Sequence, residues 1–198
     1  MPTTELKELL TDQLRDLLNA ETQLTKALPK MADAAHHPKL KEAFQKHLIQ
    51  TQNHVERLRQ VFQAIGQNAE SKTCRAMVGL VEEGEETIQQ GRQMNEMAAD
   101  LALIAAAQRV EHYEISAYGT ARTLARQMGE VECAKLLSHT LGEEESADYL
   151  LTAISEPILQ QLTLTDAGAK TNLDHVPTGK GASTQRETKT ETKVRKAG

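Results

Sequence analysis

Large aromatic side chains are scarce in this sequence, which has no tryptophan, two phenylalanines and three tyrosines among 198 residues. Leucine, alanine, isoleucine and valine must therefore fill the core. The 5 prolines and 11 glycines are few, and aliphatic segments with few helix breakers favour helices over strands. The composition predicts an all-α protein. Its length suits one domain with a sizeable core.

Cysteine pairs, long apolar runs and an export signal are also missing. Cys74 and Cys133 are too few to form a disulfide framework or a zinc knuckle. The longest apolar run, "LALIAAA" at 101–107, is far shorter than the roughly 20 residues needed to cross a bilayer. The opening "MPTTELKELLTDQL" is amphipathic and acidic, unlike a signal peptide. We expect a cytoplasmic protein without membrane contact.

Charge divides the chain into two parts. Residues 166–198 carry seven basic and four acidic side chains, a net charge of +3, whereas residues 1–165 have a net charge of −8. The polar stretch "KGASTQRETKTETKVRKAG" holds too few apolar residues to order itself. We expect 1–165 to form the folded domain and 166–198 to be a flexible, mildly basic tail. The acidic domain argues against nucleic acid as the main partner.

Apolar residues recur at helical spacing in five segments. The pattern predicts long helices over about 4–28, 38–65, 97–127 and 130–154, with a shorter helix near 73–91. Pro29 predicts a kink followed by another turn, and beyond Pro157 either a longer last helix or a separate short one fits. A long connection between the second and third long helices is typical of a ferritin-like four-helix bundle.

Each long helix carries polar residues in line with its apolar stripe, where core residues are expected. In an antiparallel bundle these positions can meet in one layer near mid-length. Unpartnered carboxylates in a core are so unfavourable that they protonate, pair with a cation or bind a metal. The residues that we predict as metal ligands on this basis are Glu21, His54, Glu111, Glu114, Glu144 and Asp148.

A pair of metal ions would neutralise most of this charge. The five carboxylates sum to −5, no lysine or arginine shares their stripes, and two divalent ions would reduce the charge to about −1. Carboxylates with an imidazole suit iron or manganese, whereas a structural zinc site would more often use cysteine. The sequence thus predicts a dinuclear centre, with iron as the first choice and manganese as the alternative.

Simpler interpretations remain open for the same residues. Glu21 and Glu111 could face solvent if the true core stripes are shifted, and His54 could be a satisfied interior histidine. The polar residues predicted to support the ligands are Gln50, His112 and Tyr118, the last by hydrogen bonding a ligand carboxylate. The histidines predicted to be surface or packing residues are His36, His37, His47 and His139.

Five segments of the chain resemble the YciE/YciF family of ferritin-like bacterial stress proteins. They are "DLLNAETQLTKALPKMADAA" (16–35), "HLIQTQNHVERLRQVF" (47–62), "CRAMVGLVEEG" (74–84), "LALIAAAQRVEHYEISAYGTARTLA" (101–125) and "LLSHTLGEEESAD" (136–148). The resemblance implies a four-helix bundle, a di-metal centre and a homodimer. It matches Glu21 to the first-helix carboxylate, Glu111 and Glu114 to third-helix ligands, and Glu144 and Asp148 to the acidic pair of the fourth helix.

The second helix departs from the usual di-iron pattern. Di-iron proteins commonly present Glu-x-x-His there, but Thr51 stands three residues before His54 in this chain. The fourth helix has Glu145-x-x-Asp148 where Glu-x-x-His is usual. With a single predicted histidine, we expect one metal position to be weak, open or differently occupied.

Two functional hypotheses follow. In the first, a buried di-iron or di-manganese site oxidises Fe(II) or reduces a peroxide, with peroxide or oxygen as the small oxidant. In the second, the bundle is a non-catalytic structural or interaction protein induced by stress. No glycine-rich phosphate loop and no nucleophile motif points to another chemistry.

Overall fold

The computed structural model describes residues 4–170, with side chains up to residue 165. Within this range all regular structure is helical. The helices are α1 (Thr4–Ala34), α2 (Pro38–Ala64), α3 (Arg75–Gly91), α4 (Glu96–Gln127) and α5 (Val131–Lys170). The predictions of an all-α fold and of a short helix in the long connection are confirmed.

The four long helices form two antiparallel hairpins. Residues 35–37 join α1 to α2, and residues 128–130 join α4 to α5. α1 packs against α2 and α4, while α5 packs against α4 and α2, so the hairpins close a four-helix bundle. α3 lies in the crossover connection and packs on α1 and α4. One stripe of each long helix therefore faces a common interior.

Glycine and proline set where these helices end or continue. Gly66 (φ 67°) follows α2 and Gly129 (φ 79°) lies between α4 and α5, in the left-handed conformation that glycine adopts without steric penalty. α1 continues through Pro29. α5 continues through Pro157 to Lys170, so the longer last helix is the correct alternative. The predicted tail thus begins within α5, and residues 171–198 lie outside the described part of the chain.

The bundle interior contains two apolar clusters with a polar layer between them. On α1, Leu17 belongs to one cluster and Leu24 to the other, and Glu21 lies between them in sequence. On α2, Phe44 and Leu58 belong to different clusters in the same way. Burying each leucine or phenylalanine contributes roughly 2 kcal/mol of hydrophobic free energy. The clusters thus fix the depth at which the polar layer lies.

The outer faces of the helices are polar. Ion pairs such as Lys30–Glu85 and Lys72–Asp12, each 2.5 Å, tie α1 to α3 and to the segment before it. Because these pairs are half exposed, each contributes at most about 1 kcal/mol, and apolar packing holds the bundle together. None of the helices within residues 4–170 combines the length and apolar character that crossing a membrane requires.

Candidate metal centre

Six ionisable side chains from the four long helices meet in the polar layer, and none is more than 6% exposed. Their potential ligand atoms form two groups, each with all atoms within 4.8 Å of one another. One group contains His47, Glu111, Glu114 and Glu144, and the other contains Glu21, His54 and Glu144. Glu144 belongs to both groups, so the arrangement is that of two adjacent cation sites that share one carboxylate.

His54 of α2 lies at the centre of the second group. Its Nδ1 is 2.8 Å from Glu144 Oε1 and 3.3 Å from Glu21 Oε1. Its Nε2 is 3.0 Å from Glu143 Oε2. Since an ionised carboxylate only accepts hydrogen bonds, Nε2 carries a proton and donates to Glu143. Nδ1 is therefore the nitrogen that faces the buried carboxylates.

His47 lies two helical turns before His54, and its Nε2 faces the first group. Its Nε2 lies 3.4 Å from Glu111 Oε1 and 3.5 Å from Glu144 Oε2. Its Nδ1 is 3.3 Å from Gln50 Oε1, an amide oxygen that accepts a hydrogen bond. The Gln50 contact thus leaves the Nε2 lone pair of His47 directed at the carboxylates.

The carboxylates have fewer hydrogen bonds than their burial demands. Glu21 accepts a 2.5 Å hydrogen bond from the Tyr118 hydroxyl on Oε1. Within the described residues, no hydrogen bond reaches Glu21 Oε2, Glu111 Oε2, His47 Nε2 or either oxygen of Glu114. A buried polar atom without a partner costs about 1–3 kcal/mol, and a cation can supply the partner that these acceptors lack.

Burial makes these groups hold protons when no cation is present. It raises the pKa of Glu21 to about 7, against the lowering effect of the hydrogen bond from His54. Burial, followed by the neighbouring carboxylates, raises the pKa values of Glu111 and Glu114 well above the ordinary range. Metal binding must displace such protons.

The two histidines differ because their surroundings differ. Burial alone would lower the pKa of His54, but hydrogen bonds and charges of Glu144 and Glu21 outweigh it and raise that pKa to about 10. At His47, burial prevails over the attraction of Glu144 and lowers the pKa. His47 is therefore neutral at pH 7 and ready to bind a metal, whereas His54 must first lose a proton.

The donor set fits two divalent ions. Glu21, Glu111, Glu114 and Glu144 carry −4 when they are ionised, which two divalent cations balance while both histidines are neutral. Carboxylate oxygens with one imidazole for each group suit iron or manganese better than copper or structural zinc. Neither cysteine belongs to these groups.

Comparisons with known proteins agree with this architecture. The protein-family model described as "Domain of unknown function (DUF892)" matches residues 5–164. The chain belongs to this family. Protein YciF of Escherichia coli strain K12 is 44% identical over 151 residues, which make up 76% of this chain and 90% of YciF. The resemblance to the YciE/YciF family predicted from five segments is thereby confirmed.

Solved structures of DUF892 relatives have the same fold. The crystal structure of the E. coli stress protein YciF matches with a TM-score of 0.76 at 42% identity, covering 81% of this chain and 99% of YciF. YcfI of Rhodopseudomonas palustris matches with a TM-score of 0.70 at 39% identity, covering 74% of this chain and 92% of YcfI. The ferritin-like bundle is thus the fold of this DUF892 protein.

The structure brings together five of the six predicted ligands and leaves Asp148 aside. Asp148 Oδ1 lies 3.0 Å from Gln108 Nε2 and 3.4 Å from His112 Nε2, in a partly exposed network between α4 and α5. His112 is 70% exposed and lies away from the buried layer. Of the residues predicted to support ligands, Gln50 contacts His47 and Tyr118 contacts Glu21.

Sequence reasoning missed His47, Glu143 and Arg57 in the DUF892 site. The prediction that His47 is a surface or packing residue was wrong, because its imidazole faces the buried carboxylates. Glu143 hydrogen bonds His54 and accepts a 2.7 Å hydrogen bond from Arg57, which also donates to Thr140. The seven-residue spacing of His47 and His54 was a usable signal, because it places both on one helix face.

Glu143 holds the imidazole of His54 from outside the ligand groups. Burial would raise the pKa of Glu143, but the hydrogen bond and charge of Arg57 outweigh it and lower that pKa, so the carboxylate is ionised. We expect Glu143→Gln to weaken metal binding at least about tenfold with the fold retained, because a neutral amide oxygen attracts the Nε2 proton less strongly than the carboxylate does. A competition titration with a chelator measures this affinity. The control is Glu145→Gln at an exposed neighbouring position, and equal affinities of the two variants would contradict this role.

Proposed function

We propose that this DUF892 protein is a ferritin-like di-metal carboxylate protein, in which a peroxide oxidises two ions of iron, with manganese as the alternative metal. The observation that carries the proposal is the position of Glu144. Its buried carboxylate lies between two groups of ligand atoms, and each group includes a histidine. A carboxylate shared between adjacent cation sites is the arrangement that dinuclear chemistry requires.

When bound, the two divalent ions supply one electron each. These two electrons and two protons convert one hydrogen peroxide into two waters. The protein side chains bind and orient. Gln50 and Glu143 hold the histidine rings with the ligating nitrogens directed inward, and Tyr118 fixes one oxygen of Glu21. The apolar clusters on both sides of the layer exclude bulk water.

The physiological setting is part of the same proposal. The E. coli relative is a stress protein, and we infer that this chain also acts in a bacterial stress response. A homodimer, which the family resemblance implies, and a cytoplasmic location, which the composition led us to expect, complete this picture. Sedimentation of the full chain tests the dimer directly, because a monomer and a dimer differ twofold in mass.

Replacing Glu111 by alanine separates the catalytic proposal from the structural alternative. Glu111 is 3% exposed and belongs to the group that contains His47. We expect the variant to stay helical while the rate of peroxide-dependent Fe(II) oxidation falls at least about tenfold. Stopped-flow absorbance of the ferric product, with circular dichroism for the fold, measures both.

The matched control is the neighbouring variant His112→Ala, because this imidazole is 70% exposed and outside the buried layer. It should oxidise iron at the wild-type rate. If Glu111→Ala leaves metal content, stability and oxidation unchanged, the bundle is the non-catalytic structural or interaction protein of the alternative hypothesis.

A further inference from the structure

A cavity of about 360 Å³ connects the surface to the first ligand group between α2 and α5. At one end lie His47 and Glu111, which are 6% and 3% exposed. At the other end Ile49 and Leu150 are 60% and 45% exposed, so two large apolar side chains flank the entrance. The apolar lining consists of Ala43, Phe44, Ile49, Ala147, Leu150 and Leu151.

The polar side chains along this cavity already have partners. Lys46 pairs with Glu42 at 2.6 Å, and the Ser146 hydroxyl donates to the Gly142 carbonyl at 2.6 Å. Gln50 accepts from His47, and Glu143 accepts from Arg57. A charged ligand would find no free countercharge among these groups, so losing its hydration would be uncompensated.

The inner end differs from the walls. His47 Nε2 and Glu111 Oε2 are buried and have no hydrogen-bond partner within the described residues. The cavity therefore has a largely apolar lining that includes two side chains with buried, unpartnered polar atoms. An apolar wall with a few convergent polar groups at one end is the usual form of a small-molecule site, and this volume lies at the lower end of the roughly 300–1,000 Å³ that such sites span.

We propose that this cavity binds a small uncharged organic molecule, with its apolar body along the wall and its oxygen-bearing end at His47 and Glu111. The inference rests on the proposed function and deepens it, because it names an organic hydroperoxide as the peroxide that reaches the centre. The O–O bond then breaks with the same two electrons and two protons, giving an alcohol and water in place of two waters.

The first test measures binding without any reaction. 1-Octanol, an alcohol of the product class, is titrated into the full chain by calorimetry. We expect saturable binding to the wild type that weakens at least about tenfold in Ala147→Phe, which fills the cavity. Ala153→Phe, on the exposed face of the same helix, should bind like the wild type.

Two results would overturn the cavity proposal. One is the absence of saturable binding, which a second copy of the chain would cause by covering the entrance. The other is equal binding by both phenylalanine variants. Ile49→Ser, which removes apolar area at the exposed entrance, provides a second variant should Ala147→Phe fail to fold, and it should weaken binding several-fold.

Further measurements keep this inference separate from the proposed function. With metal bound, Ala147→Phe should lower the rate with cumene hydroperoxide at least about tenfold relative to the rate with hydrogen peroxide, at unchanged metal content. Equal losses with the two peroxides would contradict the substrate class. Specific octanol binding by a chain that takes up no metal would refute the proposed function while leaving the cavity as a binding site.

Discussion

Replacing Glu144 by alanine should abolish binding of both metal ions rather than one. Glu144 is fully buried and is the one residue common to the two groups of ligand atoms. Its removal takes a carboxylate from each group of ligand atoms, and it leaves His47 with Glu111 alone and the Nδ1 of His54 with Glu21 alone. Elemental analysis should therefore fall from about two metal ions per chain to nearly none.

Glu145→Ala is the matched control for this experiment, because it removes the same functional group from the exposed neighbouring position of α5. It should keep the wild-type metal content. A Glu144→Ala protein that folds and still holds one tightly bound ion would show that the two positions are independent. That result would contradict the shared carboxylate.

The metal-free protein should lose stability as pH rises from 5 to 8. Glu21 has an ordinary pKa of 4.5 that burial raises to about 7, so between these values the folded chain holds a proton that the unfolded chain has lost. His54, raised from 6.5 to about 10, acts in the same direction above pH 6.5. Stability falls as pH rises wherever the folded state binds more protons than the unfolded state. The pKa shift of Glu21 corresponds to a loss of about 3 kcal/mol.

One other group opposes this trend without reversing it. His47 has a lowered pKa and so adds stability as pH rises toward 6.5. Glu143 also has a lowered pKa, but its stabilising effect is complete above pH 4.5 and stays constant from pH 5 to 8. Burial raises the pKa values of Glu111 and Glu114 strongly, in the same direction as that of Glu21. We therefore expect the buried carboxylates to determine the net pH dependence, so that the metal-free protein loses stability as pH rises. Thermal unfolding of chelator-treated protein at several pH values measures it.

Adding Fe(II) in the absence of oxygen, or adding Mn(II), should restore the stability that the metal-free protein loses as pH rises. Each ion at a hundred times its dissociation constant stabilises the folded chain by about 2.7 kcal/mol, so two ions raise the melting temperature by roughly 10–20 °C. The gain should be larger at pH 8 than at pH 6, because fewer protons then compete for the carboxylates. Magnesium at the same concentration is the control. Equal melting temperatures with and without iron or manganese at pH 8 would contradict the account.

Helical register was sufficient to predict most of the buried layer. Glu21 lies between Leu17 and Leu24 at spacings of four and three, so burying that stripe buries the carboxylate regardless of tertiary detail. The same reasoning places Glu111 and Glu144 inside. These predictions depend only on which face of one helix is apolar.

Helical register did not predict the positions of some residues correctly, because these positions depend on contacts between helices. Asp148 shares the stripe of Glu144, but it lies one turn further along, where Gln108 of α4 binds its carboxylate near the surface. Glu143 lies about 100° around α5 from Glu144. Its carboxylate is held by a hydrogen bond from Arg57 of the neighbouring α2. The spacing of residues within one helix predicts neither of these contacts.

His47 was overlooked for a different reason. The expected second-helix pattern has its carboxylate three residues before the histidine, and Thr51 at that position indicated an incomplete ligand set. In the structure a second histidine, two turns before His54, faces the buried carboxylates. Thr51 is fully buried and lies between the two histidines in sequence. The prediction of a weak second metal position assumed a single histidine at the site, whereas the structure places two there.

Metal content of the wild-type chain tests the central claim most directly. The protein should be purified without a chelator and without a metal-affinity step, then analysed for all transition metals and reported per chain. The buried carboxylates and histidines predict about two ions of iron or manganese per chain. A chain that contains no metal and takes up neither Fe(II) nor Mn(II) when they are supplied would contradict the account.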